Sequence, residues 1–124
     1  MDIVTVYLGV EREVCAVARS GKEEPLYEEE LYPDLSAEYI NKLETHIEHL
    51  GDVSLPIQNF SAIKKLRHEP NLWELIAKPV RLFFFFVGHK QVVITNGFIK
   101  KRNDTPRKHI DKARKLMEDY RREI

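Results

Sequence analysis

Three consecutive cations, Lys100, Lys101 and Arg102, stand in the stretch TNGFIKKRNDTPRKHIDKARKLM, between an apolar run and a Thr-Pro pair. Thr105 and Pro106 are residue types suited to the cap and first turn of a helix. A helix N-terminus exposes unpaired backbone N–H groups and carries partial positive charge, so cations beside it strengthen an anion site. Other groups able to do chemistry are spread along the chain. Arg81 precedes the run LFFFFV, Glu74 interrupts the apolar LWELIAK, and five histidines titrate near neutrality. His46 and His49 sit three apart on one helical face and could share a metal, but no carboxylate or cysteine motif accompanies them. His68, His89 and His109 read as surface residues, with His109, in the first turn of the last helix, best placed for acid–base work.

The charge distribution supports a polyanionic partner. Formal net charge is zero, yet residues 1–62 carry four Lys and Arg against thirteen carboxylates, and residues 63–124 hold the other sixteen cations with seven carboxylates. A basic half suits a polyanion that meets one face, and two halves that neutralise each other across the fold is the alternative. At 124 residues, 43% hydrophobic and 32% charged, the chain fits one globular domain. No apolar run approaches the roughly 20 residues of a membrane span. The start MDIVTVYLGV lacks a signal peptide's basic segment, and the single Cys15 fits a reducing compartment, so the expectation is a cytoplasmic protein with no membrane partner.

The elements that must position these groups read as strands, helices, strands and a helix. DIVTVYLG and EVCAVARS alternate as a first hairpin. Gly21 to Asp34, acidic and with two prolines, reads as an exposed loop. Ser36 caps a helix with the stripe Ile40, Leu43, Ile47 and Leu50, ended by Gly51. A second short helix is expected over Asn59 to Arg67, burying Phe60, Ile63 and Leu66. LWELIAK, VRLFFFFV and QVVITNGFIK follow as strands, the second apolar on nearly every residue like a central strand, with a turn at Gly88-His89-Lys90. The last helix presents Ile110, Ala113, Met117, Tyr120 and Ile124 on one face, and Lys108, Lys112 and Lys115 on another. The expected fold is a small single α+β domain: N-terminal strands and acidic loop (1–34), helical hairpin (36–67), three-stranded sheet (72–101) and C-terminal helix (105–124). Its sheet is twisted and antiparallel, with two helices packed on one face.

From Ile40 to Met117 the chain resembles the RelE/ParE-like toxin superfamily, and most closely its HigB-type, phage-derived branch. The likeness rests on "HLGD" ending a helix, "IKKLRHEPNLWEL", an arginine before a hydrophobic run in "VRLFFFF", and "NGFIKKRNDTP" before a basic helix, in that order. The resemblance implies the toxin of a type II toxin–antitoxin system, with a cognate antitoxin of helix-turn-helix type, the ribosome and mRNA as partners. It implies a ribosome-dependent endoribonuclease that needs no metal and no cofactor, in which the ribose 2′-hydroxyl attacks the adjacent phosphate. A ParE-like gyrase inhibitor and a non-catalytic nucleic-acid or antitoxin-binding module are the alternatives on the same fold.

Such chemistry needs a base, an acid and cations for the developing phosphorane. Strand alternation places Leu82, Phe84 and Phe86 on the helix-covered face and Arg81, Phe83 and Phe85 on an open one, with Glu74 beside Arg81. On this reading Arg81 contacts the scissile phosphate, with Lys100 or Lys101 as a second cation, Glu74 as base and His109 as acid. Lys65, Arg67, Arg102 and Lys108 hold flanking RNA, and Phe83 or Phe85 stacks on a base. Two departures stand out: Leu72 and Glu74 occupy the places of RelE's strand lysines, and Ile110 that of its helix tyrosine.

Overall fold

The computed structural model describes residues 1–54, 61–101 and 106–123. A six-stranded sheet carries helices on both faces. The strands are β1 (Asp2–Leu8), β2 (Glu13–Ala18), β3 (Ile63–Lys65), β4 (Trp73–Ala77), β5 (Val80–Val87) and β6 (Gln91–Ile99). The helices are α1 (Leu26–Leu31), α2 (Ala37–Asp52) and α3 (Arg107–Glu123), with a 3-10 turn at Tyr32–Asp34. Strand order is β1-β2-β6-β5-β4-β3. Every junction is antiparallel except β2–β6, which is parallel over Glu13–Ala16 and Gln91–Ile94, so the sheet is mixed where a wholly antiparallel one was expected.

The α+β expectation holds, and so does much of its detail. The N-terminal hairpin forms, with a bulge between Thr5 and Tyr7. The Ser36 side chain accepts a hydrogen bond from the Tyr39 backbone N–H, and Leu43, Ile47 and Leu50 are buried along α2. The turn at Gly88 has φ of 63°, a value that glycine adopts without strain. Helix α2 runs one residue past Gly51, because the hairpin tip docks there. A Cβ on Gly9 would lie 2.3 Å from the Gly51 carbonyl oxygen. Arg12 and Glu11 donate backbone N–H bonds to that oxygen, and the Arg12 guanidinium reaches the Leu50 carbonyl. These donors satisfy carbonyls that the helix end leaves open.

Two elements differ from the expectation. The acidic segment is not a solvated loop. Leu26, Tyr27 and Leu31 are buried, and α1 packs them against the sheet while its first turn places Glu28 and Glu29 where a helix favours negative charge. The second helix is also absent where the chain is described. Residues 55–60, with Phe60, lie outside the described residues, and Ile63–Lys65 form an edge strand paired with β4. Ile63 and Leu66 then enter different cores, Ile63 under α2 and Leu66 under α3. A strand satisfies both where one helix face could not.

Those cores fill both faces of the sheet. Leu75, Leu82 and Phe84 pack with α2, and Trp73 stacks on Phe84 at 6.4 Å. Phe83, Phe85 and Phe98 pack under Ala113 and Met117 of α3, joined by Ile110 and Tyr120 of its expected stripe. Ile124 lies outside the described residues. The face carrying Arg81 is therefore covered by α3 rather than open.

Candidate functional site

Register brings four chemistry-bearing residues to one end of the α3-covered face. Lys64 lies opposite Glu74 across β3–β4, Glu74 opposite Phe83 across β4–β5, and Arg81 opposite Phe98 across β5–β6. Lys100 follows two residues after Phe98, on the same side by alternation, and its backbone N–H donates to the Pro79 carbonyl at 2.8 Å. Gly97 makes this junction possible: a Cβ there would meet the Arg81 carbonyl oxygen at 2.3 Å.

The electrostatics of this end are unusual. Glu74 is 6% exposed and Arg81 7%. Burial pushes the Glu74 carboxyl above its ordinary range, while Arg81, then Lys64 and Lys100, pull it back down. Its Oε2 is enclosed without a hydrogen-bond partner. Among the described residues no ion pair joins Glu74 to Arg81, and the one hydrogen bond of the Arg81 guanidinium there is a long 3.4 Å contact to the Val80 carbonyl. Three cations thus act on one carboxyl, and among the described residues none forms an ion pair with it. A buried charge left in this state is costly, and an entering anion would offset the excess of positive charge.

The expected catalytic set is split. Glu74, Arg81 and Lys100 come together, whereas Lys101 and His109 line a separate open cleft of about 990 Å3 between α1 and α3, with Lys108, Lys112, Glu30 and Asp34. Phe98 stands between the two places: it is the register partner of Arg81, and the His109 ring stacks on it at 4.7 Å and 5°. Burial, then Lys108 and Lys112, hold His109 below its ordinary pKa, which favours the neutral ring. A neutral ring is a poor general acid, so its direction runs against that assignment.

Phe83 and Phe85 are fully buried, Phe83 stacked on Phe98 at 5.8 Å and Phe85 against Tyr120 at 5.3 Å, and present no surface to a base. Lys65 faces the other way, opposite Trp73. Arg67 and Lys108 are exposed, and Arg102 lies outside the described residues. The His46 Nδ1 contacts the Lys42 carbonyl at 2.8 Å, and among the described residues no group of three or more His, Cys, Asp or Glu could hold a metal ion.

Two residues escaped the sequence reading. Lys64 falls within the helix expected over Asn59 to Arg67, whereas alternation through "IKK" sets it beside Glu74. Glu69, 6% exposed, accepts from Arg107 at 2.8 Å and pairs with Arg114 at 3.4 Å, fastening α3 over the site. No spacing signal in "HEPN" marks it.

Residues 29–118 match the family model described as phage derived protein Gp49-like (DUF891). The chain belongs to this phage-derived Gp49-like family. The matched stretch takes in Lys64, Glu74, Arg81, Lys100 and His109, and omits the β1–β2 hairpin. No curated protein matches the Gp49-like chain. Among its described residues no helix is long and apolar enough to cross a membrane.

Proposed function

We propose that this Gp49-like chain is a RelE/HigB-like toxin that cleaves mRNA on the ribosome and is held in check by an antitoxin protein. The observation that carries the proposal is the convergence of Arg81, Lys64 and Lys100 on the buried Glu74. In the proposed step ionised Glu74 takes the proton of a ribose 2′-hydroxyl. The 2′-oxygen bonds to phosphorus, the bond from phosphorus to the 5′-oxygen breaks, and that oxygen takes a proton from the ammonium of Lys64 or Lys100. The products are a 2′,3′-cyclic phosphate and a 5′-hydroxyl, and Arg81 offsets the charge that builds on the phosphorane. Raising Glu74 towards neutrality improves a carboxylate as a base.

A second reading has its own support. Arg81 and Glu74 are nearly enclosed on the sheet face that α3 packs against, and His109 is stacked on Phe98, which suits a module that binds RNA or antitoxin without cutting. Induction of the chain in cells, with translation, RNA cleavage and DNA supercoiling followed separately, distinguishes the readings. Cleaved mRNA with intact supercoiling is the expected result. Arrested translation with intact mRNA would select the binding module, and altered supercoiling would select gyrase.

A further inference from the structure

The cleft between α1 and α3 holds a buried acceptor that the proposed chemistry at Glu74 does not use. Asn96 lines this cleft and is 1% exposed. Its Nδ2 donates to the His109 carbonyl at 3.2 Å. A carbonyl oxygen only accepts, so this bond fixes which end of the amide is the donor. The other end, Oδ1, is enclosed and has no hydrogen-bond partner among the described residues. A buried acceptor left unpaired is costly, and a ligand that brings an N–H into the cleft would satisfy it.

The other groups of the cleft narrow the ligand. Lys101 and Lys108 are exposed and form no ion pair among the described residues, whereas Lys112 is engaged by Glu30 at 2.5 Å. Glu30 and Asp34 add further acceptors on the α1 side. The His109 ring, half-buried and backed by Phe98 at 4.7 Å, adds a flat aromatic surface. A volume of about 990 Å3 accommodates a nucleotide. The cleft therefore offers acceptors, a ring and two available cations to one ligand. An acidic peptide would set its carboxylates against Glu30, Asp34 and Asn96 Oδ1. A nucleotide whose base donates hydrogen bonds meets all three features.

We propose that this cleft is a base-reading subsite, in which Asn96 Oδ1 accepts from the exocyclic amino group of adenine or cytosine and Lys101 and Lys108 hold the phosphate. Uracil is disfavoured, because its one edge N–H stands between two carbonyl oxygens that would face the same acceptors. The inference rests on the reading of the chain as an RNA-binding protein, and not on cutting at Glu74.

The test is titration of the full chain with AMP, CMP, UMP and inorganic phosphate, which are bound without being cut. AMP and CMP should bind on the order of tenfold more tightly than UMP, the scale of one base-edge contact. Asn96→Leu should remove that preference and leave UMP affinity unchanged, which a merely structural role would not do. Lys101→Ala and Lys108→Ala, both at exposed positions, should weaken all three nucleotides alike, and Lys64→Ala should weaken none. In the wild type the Asn96 side-chain amide resonances should move with AMP and stay in place with phosphate, a readout that needs no variant to fold. Equal affinity for AMP and UMP, phosphate binding as tight as AMP, equal weakening by Lys64→Ala and Lys101→Ala, or Asn96 resonances unmoved by AMP would each overturn the proposal. Cleaved mRNA in induced cells together with any of those results would sink this inference alone. A preference for amino-bearing bases with mRNA left intact would keep it and sink the cleavage reading.

Discussion

Lys64 lies directly across from Glu74 in the β3–β4 register, while its neighbour Lys65 lies across from Trp73 on the opposite face. Two adjacent lysines therefore serve different surfaces. If the Glu74 end holds phosphate, Lys64→Ala should weaken RNA binding and flatten its dependence on salt by about 0.7 in logarithmic slope, the counterion release of one contact to single-stranded RNA. Lys65→Ala should leave the slope unchanged. Binding isotherms between about 50 and 200 mM salt separate the two, and equal slopes for both variants would remove Lys64 from the site.

Glu74 couples function to stability. Its folded pKa is raised by burial, so its favourable contribution is fully present below the unfolded value, about 4.5, and is lost as pH rises through the folded pKa. At neutral pH the ionised carboxyl is a liability to the fold. Glu74→Gln should raise the melting temperature at pH 7.5, with a gain that shrinks towards pH 4.5, and should abolish cleavage. Thermal melts across that range check it. A lower melting temperature at pH 7.5 would mean that the three cations need Glu74 more than burial penalises it.

Helix α3 is held over the site by Glu69. Removing that buried carboxylate frees Arg107 and Arg114, both of which reach solvent, so Glu69→Ala should cost about 1–2 kcal/mol rather than the full value of a buried pair. The same change should speed amide exchange in the first turns of α3 and leave β5 protected. Uniform loss of protection across the sheet would mean that α3 and the sheet unfold as one unit.

The strands around the site were legible because their patterns are strong. The alternation of WELIA and the unbroken apolar run of VRLFFFFV gave β4 and β5, and the Ser36 cap with its stripe gave α2. The same run VRLFFFFV also signals burial on both faces, and reading the Arg81 face as open set that signal aside. Helix α1 was hidden by charge: five carboxylates in GKEEPLYEEE outweighed Leu26, Tyr27 and Leu31, although a short helix needs only one buried side. Strand β3 was hidden by length, since three residues carry too little periodicity to tell a strand from a helix turn. The parallel β2–β6 contact depends on residues 75 or more apart and leaves no local trace. For the site this meant that Arg81, Glu74 and Lys100 were found through their strands, while Lys64 was lost with β3.

Arg81 carries the greatest weight in the proposed chemistry. It is 7% exposed in a strand otherwise made of apolar residues, and among the described residues no carboxylate forms an ion pair with it. A structural arginine in such a place would be expected to hold a direct partner, because an unpaired buried charge is expensive. Arg81→Gln keeps most of the aliphatic stem that packs among its neighbours and removes only the charge. The variant should melt within a few degrees of wild type and still bind antitoxin. Cleavage of mRNA on programmed ribosomes should fall on the order of a hundredfold or more, the scale of one transition-state charge contact. A folded Arg81→Gln protein that cuts at the wild-type rate would place the chemistry elsewhere, with the Lys101–His109 cleft the next site to test. A large drop in melting temperature, reversed by adding Glu74→Gln, would instead make Arg81 the counter-charge of Glu74 and its role structural.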